Sequence, residues 1–418
     1  MNGIALTGLA LLLALLSYGP ASAEQITLDS LIELAKVNNP DLRSARYETE
    51  AAEYRASASG ALPNPTVGLA LMNLPHSSLA FDETPMSGVQ VGLTQMIPWP
   101  GKLSGRSEVA RAQQGMYAAT SEAIRNSIVS RVSQAYYDLA YWQAATQSIS
   151  RSLELARAIS GVAETRYANG EVPAQDLLRS QTSVQRLEVR FLRAGQRRRT
   201  ALLELINLTG VPDLDSTLSA SLPELPDADH LPHDISTNPR LNRASLGIEA
   251  ASARADVARS DYYPDFSVGI DYRFRQEVPG DPVDGEDFLT FRAGFSLPLW
   301  FFSKQRHLTR AAQQQVRSAE EHRSAVALSL RRQLDDARQT YRTTRQSLDR
   351  YDIDILPQAR ATFEAAEVAY EVGKIDFNAL LSAQLELLDI ELERLELIKQ
   401  AHRTLALIDE LSGNREDI

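Results

Sequence analysis

The chain carries the same pattern of residues twice, once in each half. Asn39-Pro40 returns as Asn238-Pro239, and the residues that follow match at an offset of 199 residues as far as Pro65/Pro264 and of 203 residues from Tyr167/Tyr370 onward. The matching positions are Leu42/Leu241, Ala45/Ala244, Glu50/Glu249, Arg55/Arg254, Pro65/Pro264, Tyr167/Tyr370, Gly170/Gly373, Leu177/Leu380, Leu178/Leu381, Gln181/Gln384, Glu188/Glu391, Leu208/Leu411 and Gly210/Gly413. A repeat of this length predicts a duplicated structural unit rather than a stack of short repeats.

The first residues have the composition of a secretory signal peptide. Ile4–Leu16 is apolar, and Ala21–Ala23 is a small-x-small cleavage site. The alternative, a transmembrane anchor, needs an apolar run of about 20 residues, and this run is shorter. The sequence therefore predicts export of the chain and no transmembrane helix after residue 23.

The sequence contains no cysteine and has a net charge of −11. The absence of cysteine excludes disulfides, thiol catalysis, cysteine metal ligands and lipidation of an N-terminal cysteine. The negative charge makes nucleic acid an unfavourable partner and favours cations over anions. The six histidines form no metal-ligand pattern, and no catalytic set of residues is recognisable, so we expect no enzyme, no metal site and no cofactor.

Two long segments have apolar residues at alternating steps of four and three, the spacing of a coiled coil. They predict very long helices at about 103–168 and about 305–371, with a kink or interruption at Pro357 in the second. Shorter helices are predicted at about 28–59, 174–208, 239–260 and 378–411. In each repeat the two shorter helices together match the long one in length, so we expect them to stack end to end along it.

Each repeat also has two short segments in which apolar and polar residues alternate, at about 66–72 and 88–96 and at about 266–275 and 288–297. In an exported protein, this alternation is typical of strands with one face toward lipid and one toward a lumen. A half-buried hairpin of a soluble protein is the alternative. The predicted lipid-facing residues are Val268, Ile270, Tyr272, Leu289, Phe291 and Phe295.

Four strands are too few to close a membrane barrel, because the smallest single-chain barrels have about eight and an open edge cannot lie in lipid. Three copies would supply about 12 strands and a ring of helices. The predicted fold is therefore mainly α with a membrane β-barrel, in two repeats that each run helix, two strands, very long helix, helix. The chain is predicted to form a trimer with a 12-stranded barrel and a hollow cylinder of helices.

The predicted domain organisation is a signal peptide at 1–23, a first repeat at 24–212, a connector at 213–235 and a second repeat at 236–418. The connector is rich in proline, aspartate and leucine and has little periodicity. We interpret it as a folded segment in the equatorial region of the helical tunnel rather than as a flexible linker.

Over nearly the whole sequence after residue 23, the chain resembles the TolC-type outer-membrane efflux proteins. Within the duplication, the segments that carry the resemblance are Tyr167–Gly170, Asp176–Leu178, Tyr370–Gly373, Ala379–Leu381, Ala61–Pro65 and Ile97–Lys102. Ile97–Lys102 is most similar to the heavy-metal branch of the family, the cobalt–zinc–cadmium and copper–silver exporters.

The resemblance implies a passive homotrimeric channel, with a 12-stranded β-barrel in the outer membrane of a Gram-negative bacterium over an α-helical periplasmic tunnel. Its partners would be a periplasmic adaptor (membrane fusion) protein and an inner-membrane pump of the resistance-nodulation-division type, which supplies the energy. The substrate would be heavy-metal cations. Two alternatives stay open: an outlet for a drug-efflux or type I protein-secretion system, and a soluble periplasmic coiled-coil scaffold without a pore.

The resemblance also implies that two helical hairpins form the periplasmic tip, which contacts the adaptor or closes the entrance. The candidate residues are Arg166, Tyr167, Gly170, Asp176, Leu177, Leu178, Tyr370, Gly373, Asp376, Leu380 and Leu381. Asp176 and Asp376 have a simpler interpretation as helix N-terminal residues. Arg166 is either a solvated charge or forms an ion pair with a carboxylate on a neighbouring helix. Asn378–Ser382 lacks the aspartate that some family members carry there.

Two tryptophans lie where a strand ends and a helix begins. Trp99 follows the second predicted strand, and Trp300 follows the fourth. This is the place of an aromatic girdle at a membrane interface, and simple packing is the alternative.

Overall fold

The computed structural model describes residues 27–212, 214 and 218–413, so the predicted signal peptide lies outside the described residues. The helices are α1 (Leu28–Asn38), α2 (Pro40–Ser59), α3 (Lys102–Ala168), α4 (Ala174–Thr209), α5 (Pro239–Ser260), α6 (Gln305–Arg350), α7 (Leu356–Glu371) and α8 (Phe377–Ser412). The strands are β1 (Thr66–Met72), β2 (Gly88–Ile97), β3 (Phe266–Arg275) and β4 (Phe288–Phe295). The fold is therefore mainly helical with one small antiparallel sheet. Within the described ranges, no helix combines the length and the apolar character needed to cross a membrane.

The described chain forms two compact units, each assembled from distant parts of the sequence. We call residues 27–39, 128–231 and 337–408 the hairpin unit, and residues 40–127, 232–336 and 409–413 the sheet unit. Both units draw on both sequence repeats.

The predicted helix at 28–59 is in fact two helices, which is a correction to the sequence interpretation. Asn39, between α1 and α2, has an extended backbone (φ −63°, ψ 125°), because the ring of Pro40 excludes the preceding residue from the helical region. The same dipeptide starts α5, where Asn238 has φ −65° and ψ 125°. The repeated Asn-Pro dipeptide thus marks a helix start in both halves.

The predicted helix at 305–371 is also interrupted. After α6, residues Tyr351–Ile355 form a π-helical turn before α7 continues. Pro357 lies in the first turn of α7, and it cannot donate a backbone hydrogen bond to the preceding turn. The wider turn accommodates this loss without ending the helix. The interruption predicted at Pro357 is therefore this π-helical turn.

In both repeats, the asparagine of the Asn-Pro dipeptide binds the end of the last helix. In the hairpin unit, the Asn39 amide donates from Nδ2 to the carbonyl oxygen of Leu208 at 2.9 Å. In the sheet unit, Asn238 Nδ2 donates to Leu411 O at 2.9 Å and to Glu410 O at 3.2 Å. The two asparagines are 4% and 2% exposed. We call each of these contacts a repeat clasp, because it joins the dipeptide near the start of a repeat to the helix end that closes it.

A glycine completes each clasp. Gly210 and Gly413 follow α4 and α8 with φ +66° and +73°, which favours glycine because it has no Cβ. A Cβ on Gly210 would lie 3.0 Å from Asn38 O, and one on Gly413 would lie 2.8 Å from Thr237 O. The glycines therefore permit both the left-handed turn and the close approach of the asparagine segment.

The connector is anchored to the hairpin unit by hydrogen bonds. The side chain of Tyr341 is fully buried, and its hydroxyl donates to Pro226 O at 2.6 Å. The backbone amide of Ser221 donates to the hydroxyl of Tyr136 at 3.1 Å, and His402 Nε2 lies 3.0 Å from Pro223 O. These contacts hold the described part of the connector against α3, α6 and α8.

The sheet unit contains one four-stranded antiparallel sheet in the order β1-β2-β3-β4. Its two hairpins, one from each repeat, join along β2 and β3, where Val91 lies opposite Tyr272 and Leu93 opposite Ile270. β1 and β4 are the edge strands. β4 ends at Phe295, short of the predicted 297, because Ser296 N bonds Asp265 O outside the ladder and Pro298 follows.

Candidate functional site: an uncovered sheet and paired helical turns

One face of the sheet is apolar and uncovered. Directly opposed residues share a face, and the register places all six predicted lipid-facing residues on this one. Their exposure runs from 39% for Ile270 to 76% for Phe291. Val67, Leu69 and Leu71 of β1 extend the same face, which assigns the orientation of the first hairpin. A contiguous apolar surface of this kind marks a surface for lipid or another protein.

The opposite face of the sheet is polar and carries an ion pair. Asp271 is buried, and Arg292 donates from Nη2 to its Oδ1 at 2.7 Å while Nε lies 2.7 Å from Oδ2. A Cβ at Gly92 would lie 2.1 Å from Asp271 Oδ1. The glycine therefore leaves the space that the carboxylate of Asp271 occupies.

The loops beyond the strands are joined by a buried arginine, which the sequence interpretation missed. The side chains of Arg275 and Asp281 are each 1% exposed and form an ion pair at 2.5 Å. Arg275 Nε also donates to Pro85 O at 2.7 Å, in the loop of the first repeat. Arg275 follows the strand alternation and Asp281 lies in a polar loop, so no local pattern indicates the pair.

The carboxyl of Asp281 is held in its ionised form. Burial opposes ionisation, but the backbone amides of Gly285 and Val283 donate to the carboxylate at 2.9 and 3.2 Å, and Arg275 adds its positive charge. Together these donors hold the pKa of Asp281 below its ordinary value. The ion pair therefore stabilises the loops at neutral pH. This stabilisation is lost as the pH falls through the lowered pKa of Asp281.

The two candidate interface tryptophans have different environments. Trp99 is packed: its ring stacks on Tyr263 with centroids 4.9 Å apart, and its backbone amide donates to Asp265 Oδ1 at 2.9 Å. Trp300 is 71% exposed. The packing interpretation fits Trp99, and only Trp300 has the exposure expected of an interfacial aromatic.

The two helical hairpins of the hairpin unit end in turns of the same construction. Gly170 has φ +77° and Gly373 has φ +73°. In the first turn Gly170 N donates to Tyr167 O and Glu171 N to Arg166 O, at 2.9 and 2.8 Å. The second turn has the equivalent bonds from Gly373 and Lys374 at 3.0 and 2.8 Å. This pair of bonds is the Schellman motif, which requires a left-handed residue after the helix.

Contacts link the two hairpins near these turns. The Asn378 amide donates to Asp176 Oδ1 at 3.2 Å. The guanidinium of Arg166 lies 4.8 Å from the ring centroid of Tyr370, a cation–π contact with the other hairpin. Tyr370, Phe377, Leu380 and Leu381 form a buried cluster with residues of α3. Asp176 thus bonds the other hairpin, beyond its interpretation as a helix N-terminal residue.

The remaining candidates divide into capping and exposed residues. Asp376 Oδ1 accepts from Ala379 N at 2.9 Å, which caps the first turn of α8. Leu177 is half-buried. Leu178 is 61% exposed, whereas the equivalent Leu381 is buried, and Tyr167 is also exposed. Equivalent positions of the two hairpins therefore differ in which side chains they present. Over the described residues, no group of three or more histidine, aspartate or glutamate side chains could hold a metal ion.

Comparison with solved structures identifies the fold. The chain superposes on the outer-membrane channel OprN with a TM-score of 0.79 at 19% identity, covering 93% of this chain and 90% of OprN. It superposes on CusC with a TM-score of 0.76 at 16% identity, covering 94% of this chain and 93% of the CusC chain. The CusC structures describe conformational changes accompanying folding and transmembrane channel formation.

Comparison of sequences identifies relatives along the whole chain. The cobalt-zinc-cadmium resistance protein CzcC of Cupriavidus metallidurans is 23% identical over 397 residues, covering 94% of this chain and 91% of CzcC. The pyoverdine export outer membrane protein OpmQ of Pseudomonas putida is 24% identical over 410 residues, covering 92% of this chain and 86% of OpmQ. The sequence profile described as outer membrane efflux protein matches twice, at residues 31–211 and 234–414. The chain is therefore a member of the outer membrane efflux protein family.

Proposed function

We propose that this protein is the passive outer-membrane channel of a tripartite efflux system and works as a homotrimer. The observation that carries the proposal is the four-stranded sheet with one uncovered apolar face and one polar face. Such a sheet fits lipid on its apolar side and a water-filled lumen on its polar side.

The proposed trimer follows from the edge strands. β1 and β4 each have a neighbour on one side only, and unpaired strand edges cannot lie in hydrocarbon. Three chains joined edge to edge would close a barrel of about 12 strands, which exceeds the minimum of about eight. Residues 1–23 would direct export and be removed, and the barrel would lie in the outer membrane of a Gram-negative bacterium. The helices would then form a tunnel in the periplasm.

The helical turns are the proposed contact with a periplasmic adaptor protein and, through it, with an inner-membrane pump of the resistance-nodulation-division type. Tyr167, Gly170 and Leu178 are exposed, which supports a role in contact with a partner. Tyr370, Leu380 and Leu381 are buried and would position the second hairpin. Arg166 with Tyr370, and Asn378 with Asp176, would hold the two hairpins together in the closed entrance.

The proposed substrate is a heavy-metal cation. The supporting observations are the similarity to the cobalt-zinc-cadmium resistance protein CzcC along nearly the whole chain and the Ile97–Lys102 segment. The second candidate is an organic substrate, favoured by the similar match to the pyoverdine export protein OpmQ.

A deletion strain tests both candidates, with and without the restored gene. We expect selective sensitivity to zinc, cobalt, cadmium, copper or silver, reversed by the gene. Sensitivity to organic compounds alone would favour the second candidate, an organic substrate. Recovery of the protein as a soluble periplasmic monomer would overturn the channel itself.

Replacing Gly373 with valine is expected to weaken adaptor binding and efflux. The left-handed conformation costs a non-glycine residue about 1–2 kcal/mol, so the turn at φ +73° should rearrange. A Cβ at this glycine meets no atom within 4 Å, so the effect comes from the backbone rather than from a clash. The measurement is site-specific cross-linking to the adaptor together with metal susceptibility.

Gly161→Val is the matched control, because Gly161 is also exposed and a Cβ there meets no atom within 4 Å, but it lies within α3. Gly170→Val should resemble Gly373→Val. Normal cross-linking and normal efflux in both turn variants would remove the proposed role of the turns.

A further inference from the structure

The polar face of the sheet carries an unbalanced positive charge. The four strands contain four charged residues, which are Asp271, Arg273, Arg275 and Arg292. The register places all four on the same face: Arg273 lies opposite Gln90, and Asp271 opposite Gly92. The charges on this face can therefore be balanced pair by pair.

Two of the three arginines are neutralised by a carboxylate. Arg292 pairs with Asp271 at 2.7 Å, and Arg275 pairs with Asp281 in the adjoining loop. Both carboxylates are almost fully buried. These two pairs leave no net charge on the face.

Arg273 is the exception. Its Nε and Nη2 donate to Gln90 Oε1 at 3.3 and 3.0 Å, and no carboxylate of the described chain lies within ion-pairing distance of it. The amide fixes the guanidinium in place but does not neutralise it, because glutamine carries no charge. One positive charge per chain is thus held in a defined position on the polar face.

We propose that Arg273 is a selectivity residue that biases passage along this wall toward anions. The inference rests on the proposed function, since only a closed barrel turns the polar face into a channel wall. Three chains would place three such charges around one lumen. A fixed charge on the wall of a water-filled passage raises the local concentration of ions of opposite sign. This sign is opposite to the preference expected from the net charge of −11. It would oppose rather than assist passage of the proposed heavy-metal cation, which the pump would drive through the channel.

The test measures ion selectivity of the purified trimer in planar lipid bilayers under a potassium chloride gradient. Arg273→Gln is expected to shift the chloride-to-potassium permeability ratio toward potassium, and Arg273→Lys to leave it near the wild-type value. Asp271→Asn should shift the ratio in the opposite direction, because it frees the charge of Arg292. An Arg273→Gln ratio equal to wild type would overturn the inference.

A second variant covers the case in which Arg273→Gln does not assemble. Gln90→Glu keeps the arginine and supplies the missing carboxylate, so it is expected to shift the ratio in the same direction as Arg273→Gln. An unchanged ratio in Gln90→Glu would also overturn the inference. Failure of the proposed function gives a different result, which is wild-type protein that neither forms a trimer nor inserts into the bilayer.

Discussion

Replacing Asn238 with aspartate is expected to lower the free energy of unfolding by about 1–3 kcal/mol, the cost of leaving buried hydrogen-bonding groups unpaired. The asparagine amide donates to the carbonyl oxygens of Glu410 and Leu411 at the end of α8. A carboxylate cannot donate, and it adds a negative charge next to the negative end of a helix dipole. Aspartate still accepts from Arg240 N, as Asn238 Oδ1 does at 2.8 Å. The loss therefore reports on the clasp rather than on the helix cap.

The matched control is Asn242→Asp in the same helix. Asn242 is exposed, and the substitution changes the charge equally, so we expect an effect within about 0.5 kcal/mol. The measurement is urea-induced unfolding of the purified protein in detergent, followed by tryptophan fluorescence. Equal midpoints for the two variants would contradict the role of the clasp. Asn39→Asp should give a loss of the same sign, because Asn39 donates to Leu208 O in the same way.

The repeat clasps also show why the duplication was informative but incompletely interpreted. Asn39, Leu208 and Gly210 each have an equivalent in the second repeat, but the asparagine is far from the other two along the sequence. Nothing local indicates that they meet. One helix was likewise predicted over 28–59. The steric effect of Pro40 on Asn39 divides that segment into two helices.

Long periodic elements were the most predictable part of the fold. The strand alternation also placed Phe291 and its five companions on one face before any register was known, because side chains alternate in every strand. The resemblance to TolC-type efflux proteins is confirmed by the family match over both repeats. Register and loop contacts were beyond such reasoning.

The candidate sites show the same division. Gly170 and Gly373 could be selected as turn residues from the two Tyr-x-x-Gly motifs, since few residues other than glycine tolerate the left-handed conformation. The ring partner of Arg166 and the amide partner of Asp176 could not be predicted, since both come from the other hairpin. The unbalanced charge of Arg273 becomes visible only when the carboxylate partners of the neighbouring arginines are known.

Replacing Phe291 with arginine is expected to abolish assembly of the proposed membrane trimer. The side chain is 76% exposed on the apolar face, so its loss removes little packing within the chain. An arginine facing lipid near the bilayer midplane costs about 2–4 kcal/mol, and a trimer would contain three of them. The measurement is the amount of heat-resistant trimer in the outer-membrane fraction, compared with total protein.

Thr290→Arg is the control that tests which face of the strand contacts lipid. Thr290 is the adjacent residue of β4 and lies opposite Asp271 on the polar face, where a water-filled lumen would solvate the new charge. We therefore expect this variant to assemble, and Phe291→Leu to assemble as well because it keeps the face apolar. Equal trimer yields from Phe291→Arg and Thr290→Arg would mean that the uncovered apolar face does not contact lipid. Loss of trimer in Thr290→Arg alone would mean that the two faces of the sheet are assigned the wrong way round.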